Sequence, residues 1–148
     1  MRAEQIAETF PAVAVDSNAL DAVCLLATHR LPGLVVTDTA GKPVTMLPAS
    51  QVVRLLVPPY VLDDPSLAGV LSESMADRIA DKLGGKTVAQ VLPKPPPEMS
   101  TVKADDTIVE VAATMARNRS PLVVVMNSDG LVGVITASRL LEVALAPH

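Results

Sequence analysis

Apolar residues recur at three- and four-residue intervals in two stretches, Leu20, Val23, Cys24, Ala27 and Ile108, Val111, Ala112, Met115, the spacing that lines one face of a helix. It predicts helices from about Ala19 to Thr28 and from about Ile108 to Arg117. Short extended pieces, Ala12 to Val15 and Thr101 to Lys103, precede them at Asp-rich corners able to cap a helix. Asp105 or Asp106 is the candidate N-cap of the second, with Glu110 near its first turn. A proline follows each helix, Pro32 and Pro121, and prevents its continuation. Next come β-branched runs, Leu34-Val35-Val36 and Leu122-Val123-Val124-Val125, then turns at Thr39-Ala40-Gly41 and Ser128-Asp129-Gly130 and a second strand. Further helices are expected to begin near Ala49 and Ala137.

The two patterns are copies of one another. Val13-Ala14-Val15-Asp16 matches Val102-Lys103-Ala104-Asp105, and at the same offset Ala27 falls on Ala116, Arg30 on Arg119, Pro32 on Pro121, Val35-Val36 on Val124-Val125 and Gly41 on Gly130. Beyond the glycine the offset shrinks by one residue, so Val44, Ala49 and Ser50 fall on Val132, Ala137 and Ser138. One residue inserted in the first copy's turn explains the shift. The unit is strand, helix, strand, turn, strand, helix.

Between the copies, Pro58-Pro59 stops a helix and Asp63-Asp64-Pro65-Ser66 can cap another. Leu67, Leu71, Met75, Ile79 and Leu83 then sit four apart on one face until Gly84-Gly85. This predicts an inserted amphipathic helix, either a spacer packed on the core or a docking helix. Pro93-Lys94-Pro95-Pro96-Pro97 should be stiff and extended, as an internal linker rather than an SH3-type ligand.

Composition narrows the function. Hydrophobic residues are 49% of the chain and charged ones 19%, enough apolar surface to exclude global disorder. Aromatics are 1%, Phe10 and Tyr60 alone, so base-stacking platforms are missing. Twelve Lys and Arg against 16 Asp and Glu leave a net charge of −4, and no basic run follows a phosphate backbone, which argues against nucleic acid. Apolar runs are too short to cross a bilayer and no signal core follows Met1, so a cytoplasmic protein without membrane insertion is expected. The single cysteine, Cys24, is expected to be a buried small hydrophobe. With only His29 and His148 as imidazoles, no base for a nucleophile and no zinc-type spacing is found, so neither a catalytic nor a metal site is assigned. His29 suits a helix C-terminus. Asp63-Asp64 and Asp105-Asp106 are read as helix caps.

The run from Thr101 through Asp105-Asp106 and Gly130-Leu131-Val132-Gly133 to Leu141 resembles a CBS (cystathionine-β-synthase) motif. Phe10 to Val57 resembles it more distantly, and Arg2 to Ala7 and Thr87 to Leu92 look like the lead-in segments that precede such motifs. The resemblance implies an α+β fold of two CBS repeats, βαββα-type units related by a pseudo-two-fold axis and packed through their sheets, with the inserted helix between them. It divides the chain into a first motif (1–58), a helical connector (59–86) and a second motif (87–148). A tandem CBS pair, or Bateman module, usually forms a homodimer, senses adenine nucleotides such as AMP, ADP or ATP, and regulates a separate enzyme or transporter. It requires no cofactor.

Site residues follow from the family pattern Gly-x-x-Thr-x-x-Asp, whose Thr contacts phosphate and whose Asp accepts ribose hydroxyls. The second copy has Gly133, Thr136 and then Arg139 in place of the Asp; the first has Thr45, Pro48 and Gln51. An arginine accepts no hydrogen bond, so ribose reading is lost there, but its fork grips phosphate. The resemblance places base-contacting walls at Ser120-Pro121-Leu122 and Leu31-Pro32-Gly33. The favoured pocket is therefore the second copy's (Thr101, Ser120, Pro121, Leu122, Gly133, Thr136, Arg139), and the weaker one is the first copy's (Leu31, Pro32, Gly33, Gln51). For Thr136, helix capping and ligand contact stand side by side. A ligand-independent dimeric scaffold is the competing reading.

Overall fold

The β-branched runs pair as two three-stranded sheets of identical plan in the computed structural model, which describes residues 1–66 and 74–146. The first sheet holds β1 (Val13–Ala14), β2 (Gly33–Thr37) and β3 (Pro43–Pro48); the second holds β4 (Thr101–Lys103), β5 (Leu122–Asn127) and β6 (Gly130–Thr136). In each, the short first strand runs parallel to the second and the third returns antiparallel. Both hairpins carry a register irregularity at the matching step, Val36/Thr37 and Val125/Met126.

The helices after β1 and β4 are α2 (Ala19–His29) and α7 (Ile108–Asn118). Each ends at an arginine in the left-handed conformation, Arg30 (φ 53°) and Arg119 (φ 50°), and the next amides, Leu31 and Ser120, close back onto Leu26 and Met115. This left-handed cap terminates the helices two residues before the prolines, so His29 is the last residue of α2 rather than the residue after it. The N-caps also differ from expectation. Asn18 accepts from the Asp21 amide, and Thr107 forms a reciprocal capping box with Glu110; Asp106 instead holds the turn by accepting from the Lys103 amide at 2.9 Å. A hydroxyl residue three before a glutamate lets the pair satisfy two amides, the hydroxyl accepting from Glu110 N–H and the carboxylate from Thr107 N–H, which neither Asp105 nor Asp106 is spaced to do.

Helix α2 buries Ala19, Ala22 and Leu26. That stripe of small residues is offset from the expected one, and it leaves Cys24 exposed, which corrects the expectation of a buried thiol. In α7 the expected stripe is inward: Val111 and Met115 are buried, and Ile108 and Ala112 are partly so. The units close with α3 (Ala49–Leu55) and α8 (Ala137–Leu145). Val35 and Met46 of the first sheet pack against Leu122, Val124 and Val134 of the second, forming an apolar seam between the sheets.

The lead-in segments cross over. Helix α1 (Ala3–Ile6) lies on the second unit, burying Ala3 and Ile6 in its core, with Ala3 N–H donating to Asp106 O and Glu4 N–H to Ala104 O. Helix α6 (Val88–Val91) lies on the first unit, where Val88, Val91 and Leu92 join the core. Each spatial unit thus draws on both halves of the sequence.

The connector holds two helices among the described residues rather than one long one. Pro59 opens α4 (Pro59–Asp63), since proline is tolerated at a first helical position. Asp63 ends that helix, and Asp64 accepts from the Ser66 amide and hydroxyl. Helix α5 (Met75–Leu83) begins at the Ser74 cap, with Leu83 buried, Ile79 partly buried and Met75 exposed. Leu67 and Leu71 of the expected stripe lie outside the described residues. No described helix is long and apolar enough to cross a membrane.

Candidate functional site

The crossing and the packed sheets create two clefts at the ends of the seam, of about 500 and about 420 Å³. Their linings correspond under the repeat: Glu8, Phe10, His29, Arg30 and Thr136 in the first take the places of Pro97, Met99, Asn118, Arg119 and Pro48 in the second. Each cleft combines the helix-to-strand loop of one unit with the strand-to-helix corner of the other. A hydrogen bond within each unit fixes that corner, Ala137 N–H to Pro121 O and Ala49 N–H to Pro32 O, both 2.9 Å.

This geometry regroups the candidate residues. Pro121, Thr136 and Arg139 meet Leu31 and Pro32 of the other copy in the larger cleft. Ser120 lines the smaller cleft instead, with Pro32 and Pro121 between the two, and its hydroxyl donates to the Leu122 carbonyl. Leu122 is buried in the inter-sheet seam. Thr101 is exposed on β4 and lines neither cleft. Gln51 reaches α6, its Nε2 donating to Val91 O at 3.3 Å. Gly33 is covered by Met46, whose Sδ would lie 2.7 Å from a Cβ there.

Gly133 has a packing reason of its own. Glu8 pairs with Val134 through two backbone hydrogen bonds of 2.9 and 2.8 Å, and a Cβ at 133 would come within 2.7 Å of the Glu8 carbonyl oxygen. The first copy meets the equivalent crossing chain differently: Thr45, at the matching position, donates its hydroxyl to Pro97 O at 2.7 Å.

The larger cleft carries more charge, with Glu8, Arg30, Arg139 and Glu142 against Glu98 and Arg119 in the smaller one. Thr136 is the N-cap of α8, accepting from the Arg139 amide at 3.1 Å; its own hydroxyl hydrogen remains for another acceptor. With Ala137 and Arg139 amides engaged, the Ser138 N–H is left at the positive end of the helix. The Arg139 guanidinium donates through Nε to Ile6 O at 3.1 Å and through a terminal nitrogen to Glu142. Arg30 and His29 border the opposite wall, where His29 stands edge-to-face on Phe10 with ring centroids 5.8 Å apart. Glu8, Phe10, Arg30 and Glu142 were not singled out from sequence. The alignment of Arg30 with Arg119 was the one available signal, since two arginines at equivalent left-handed caps flank equivalent clefts. Among the described residues, no group of three His, Cys, Asp or Glu is placed to hold a metal ion.

The CBS-domain family model matches residues 88–146. A CBS domain-containing protein of unknown function from Kribbella flavida is 59% identical, with 99% of each chain covered and a TM-score of 0.86. The chain belongs to the CBS-domain family. Its fold also matches the CBS domain of a CBS domain-containing membrane protein from Sphaerobacter thermophilus (17% identity, 96% of this chain and 86% of that one, TM-score 0.71). CBSX2, solved in complex with AMP, is similar at 19% identity, 97% and 96% coverage and TM-score 0.67; at such identities the likeness concerns the fold. No curated protein matches the chain. In CBS terms the two clefts are unequal: one keeps a hydroxyl cap beside two arginines, while the other has Pro48 at the cap and the single arginine Arg119.

Proposed function

We propose that this CBS protein is a regulatory module that takes a small anionic ligand, an adenine nucleotide by preference, in the Thr136–Arg139 cleft and relays its occupancy to a separate cytoplasmic or membrane-bound partner. The observation that carries the reading is that Thr136, whose hydroxyl caps α8, lines one cleft together with Ser138, Arg30 and Arg139, residues whose donors suit phosphate. AMP in CBSX2 supports the nucleotide class. Affinity should follow phosphate number more than ribose hydroxyls, because Arg139 accepts nothing.

The module is proposed to act as a homodimer. Val53, Val109, Leu141 and Leu145 stand exposed on α3, α7 and α8, apolar helix surface that a second copy would cover; sedimentation showing only monomer at micromolar concentration would remove this part. Leu20 and Val23 of α2 pack partly buried on the first core.

Calorimetry and thermal unfolding with AMP, ADP and ATP test the ligand reading. Ligand at 100 times its dissociation constant stabilises by about 2.7 kcal/mol, a rise of roughly 5–10 °C for a chain of this size, and Arg139→Ala should reduce it. A scaffold without ligand is the second reading, favoured by the ties of Arg139 to Ile6 and Glu142. No nucleotide-dependent shift in a wild-type dimer would select it.

A further inference from the structure

We propose that Glu142 sets the charge requirement of the Thr136–Arg139 cleft, as the resident counter-ion that an incoming phosphate displaces from Arg139. The inference rests on the ligand reading above and assigns a specificity role within it. Residues three apart on α8 share a face, and both Arg139 and Glu142 line the cleft.

The guanidinium has one fixed edge and one exchangeable edge. Its Nε is held by the carbonyl of Ile6, a residue 1% exposed in the second core, so the plane of the fork is set by the crossing segment. Its terminal Nη1 is held, among the described residues, by Glu142, whose side chain is 70% exposed, against 30% for Arg139. An ion pair that open to water is weak, whereas a phosphate brings more charge and more acceptor oxygens to the same nitrogen. Glu142 therefore repels anions unable to displace it and yields to those that can.

The other cleft shows that this pair is not part of the general plan of the fold. Under the repeat, Gln51 stands for Arg139 and Arg54 for Glu142, and neither lines the smaller cleft. The counter-ion arrangement is confined to the cleft with the hydroxyl cap.

Calorimetric titration of AMP, ADP and ATP into wild type, Glu142→Gln, Arg139→Ala and the double variant tests the proposal. Glu142→Gln should bind tighter by about twofold to fivefold, about 0.4–1 kcal/mol, with the gain rising from AMP to ATP. In the Arg139→Ala background that gain should vanish. If wild type binds and Glu142→Gln binds equally or more weakly, the counter-ion role is overturned while the ligand reading survives. A gain that persists without Arg139 also overturns it, because Glu142 would then act through its field alone. If neither wild type nor Glu142→Gln binds any of the three, both readings fall together.

Discussion

Replacing Gly133 by alanine separates two roles for the motif glycine, ligand contact and close approach of the crossing segment. Gly133 does not have a left-handed φ, so alanine fits its backbone, and in an unobstructed strand the change would stabilise by roughly 0.4–1 kcal/mol through the unfolded chain. The obstruction is specific. The added methyl would meet the Glu8 carbonyl oxygen at 2.7 Å and the Ala7 Cβ at 3.2 Å, and the oxygen cannot rotate away because Glu8 is bonded to Val134 in both directions. Overpacking of this kind costs about 1–3 kcal/mol, and loss of the Glu8–Val134 pair adds about 0.5–1.5 kcal/mol per bond. The sign should therefore reverse between backgrounds: Gly133→Ala lowers the urea midpoint of the full chain and raises that of a chain lacking Met1 to Glu8. Because that truncation also removes buried Ala3 and Ile6, hydrogen exchange on the full-length variant supplies a second reading. Protection of the Glu8 and Val134 amides should fall relative to that of Val123 within the β5–β6 hairpin. An equal penalty in both backgrounds, or unchanged Glu8 protection, would refute the packing argument.

Thr136→Ala should lower stability by about 1 kcal/mol through loss of the α8 cap and weaken nucleotide binding as well, with Thr136→Ser restoring both; restored stability without restored binding would leave capping as its whole role. Thr45→Val should destabilise by about 1–3 kcal/mol in urea unfolding, because Thr45 is only 5% exposed and losing its hydroxyl leaves the Pro97 carbonyl unpaired, and an unchanged midpoint would count against that bond. Cys24 should react with a thiol reagent in the folded protein, and Cys24→Ser should shift stability by less than about 0.5 kcal/mol; labelling that begins only in denaturant would show the thiol to be covered.

Element order was legible because each element carries its own local signal. Two copies of a three- to four-residue apolar rhythm followed by β-branched runs place α2, α7 and the sheets within a residue or two, and the repeat offset foretells matching hairpins. The misplacements come from choices that are settled outside the local window. Asp106 and Thr107 both suit a cap, and the reach of Glu110 decides for Thr107. On α2, apolar residues surround most of the helix, so periodicity alone did not show that Ala19, Ala22 and Leu26 face the sheet and Cys24 faces water. The cleft was the least legible part. In sequence, each lead-in segment adjoins the copy it precedes, whereas α1 packs across the molecule, and no sequence pattern announces that Glu8 will line a cleft with Thr136.

The divergence of the copies follows from that crossing. At the matching positions Gly133 and Thr45, a strand must accept a chain arriving from the other half, and the two solutions have different consequences. A glycine admits the Glu8 backbone close enough to pair with β6. That pairing carries Ile6, two residues earlier, to where its carbonyl meets Arg139, so the orientation of that arginine depends on the glycine. Thr45 holds its visitor through a side-chain bond to Pro97. In the ligand reading proposed above, Arg139 puts a donor where the family pattern has an acceptor, and it does so in the cleft where the crossing segment holds that donor. Substitutions at Gly133 should consequently disturb anion binding through the position of Arg139, even though Gly133 itself lies beneath the Glu8 backbone and lines neither cleft.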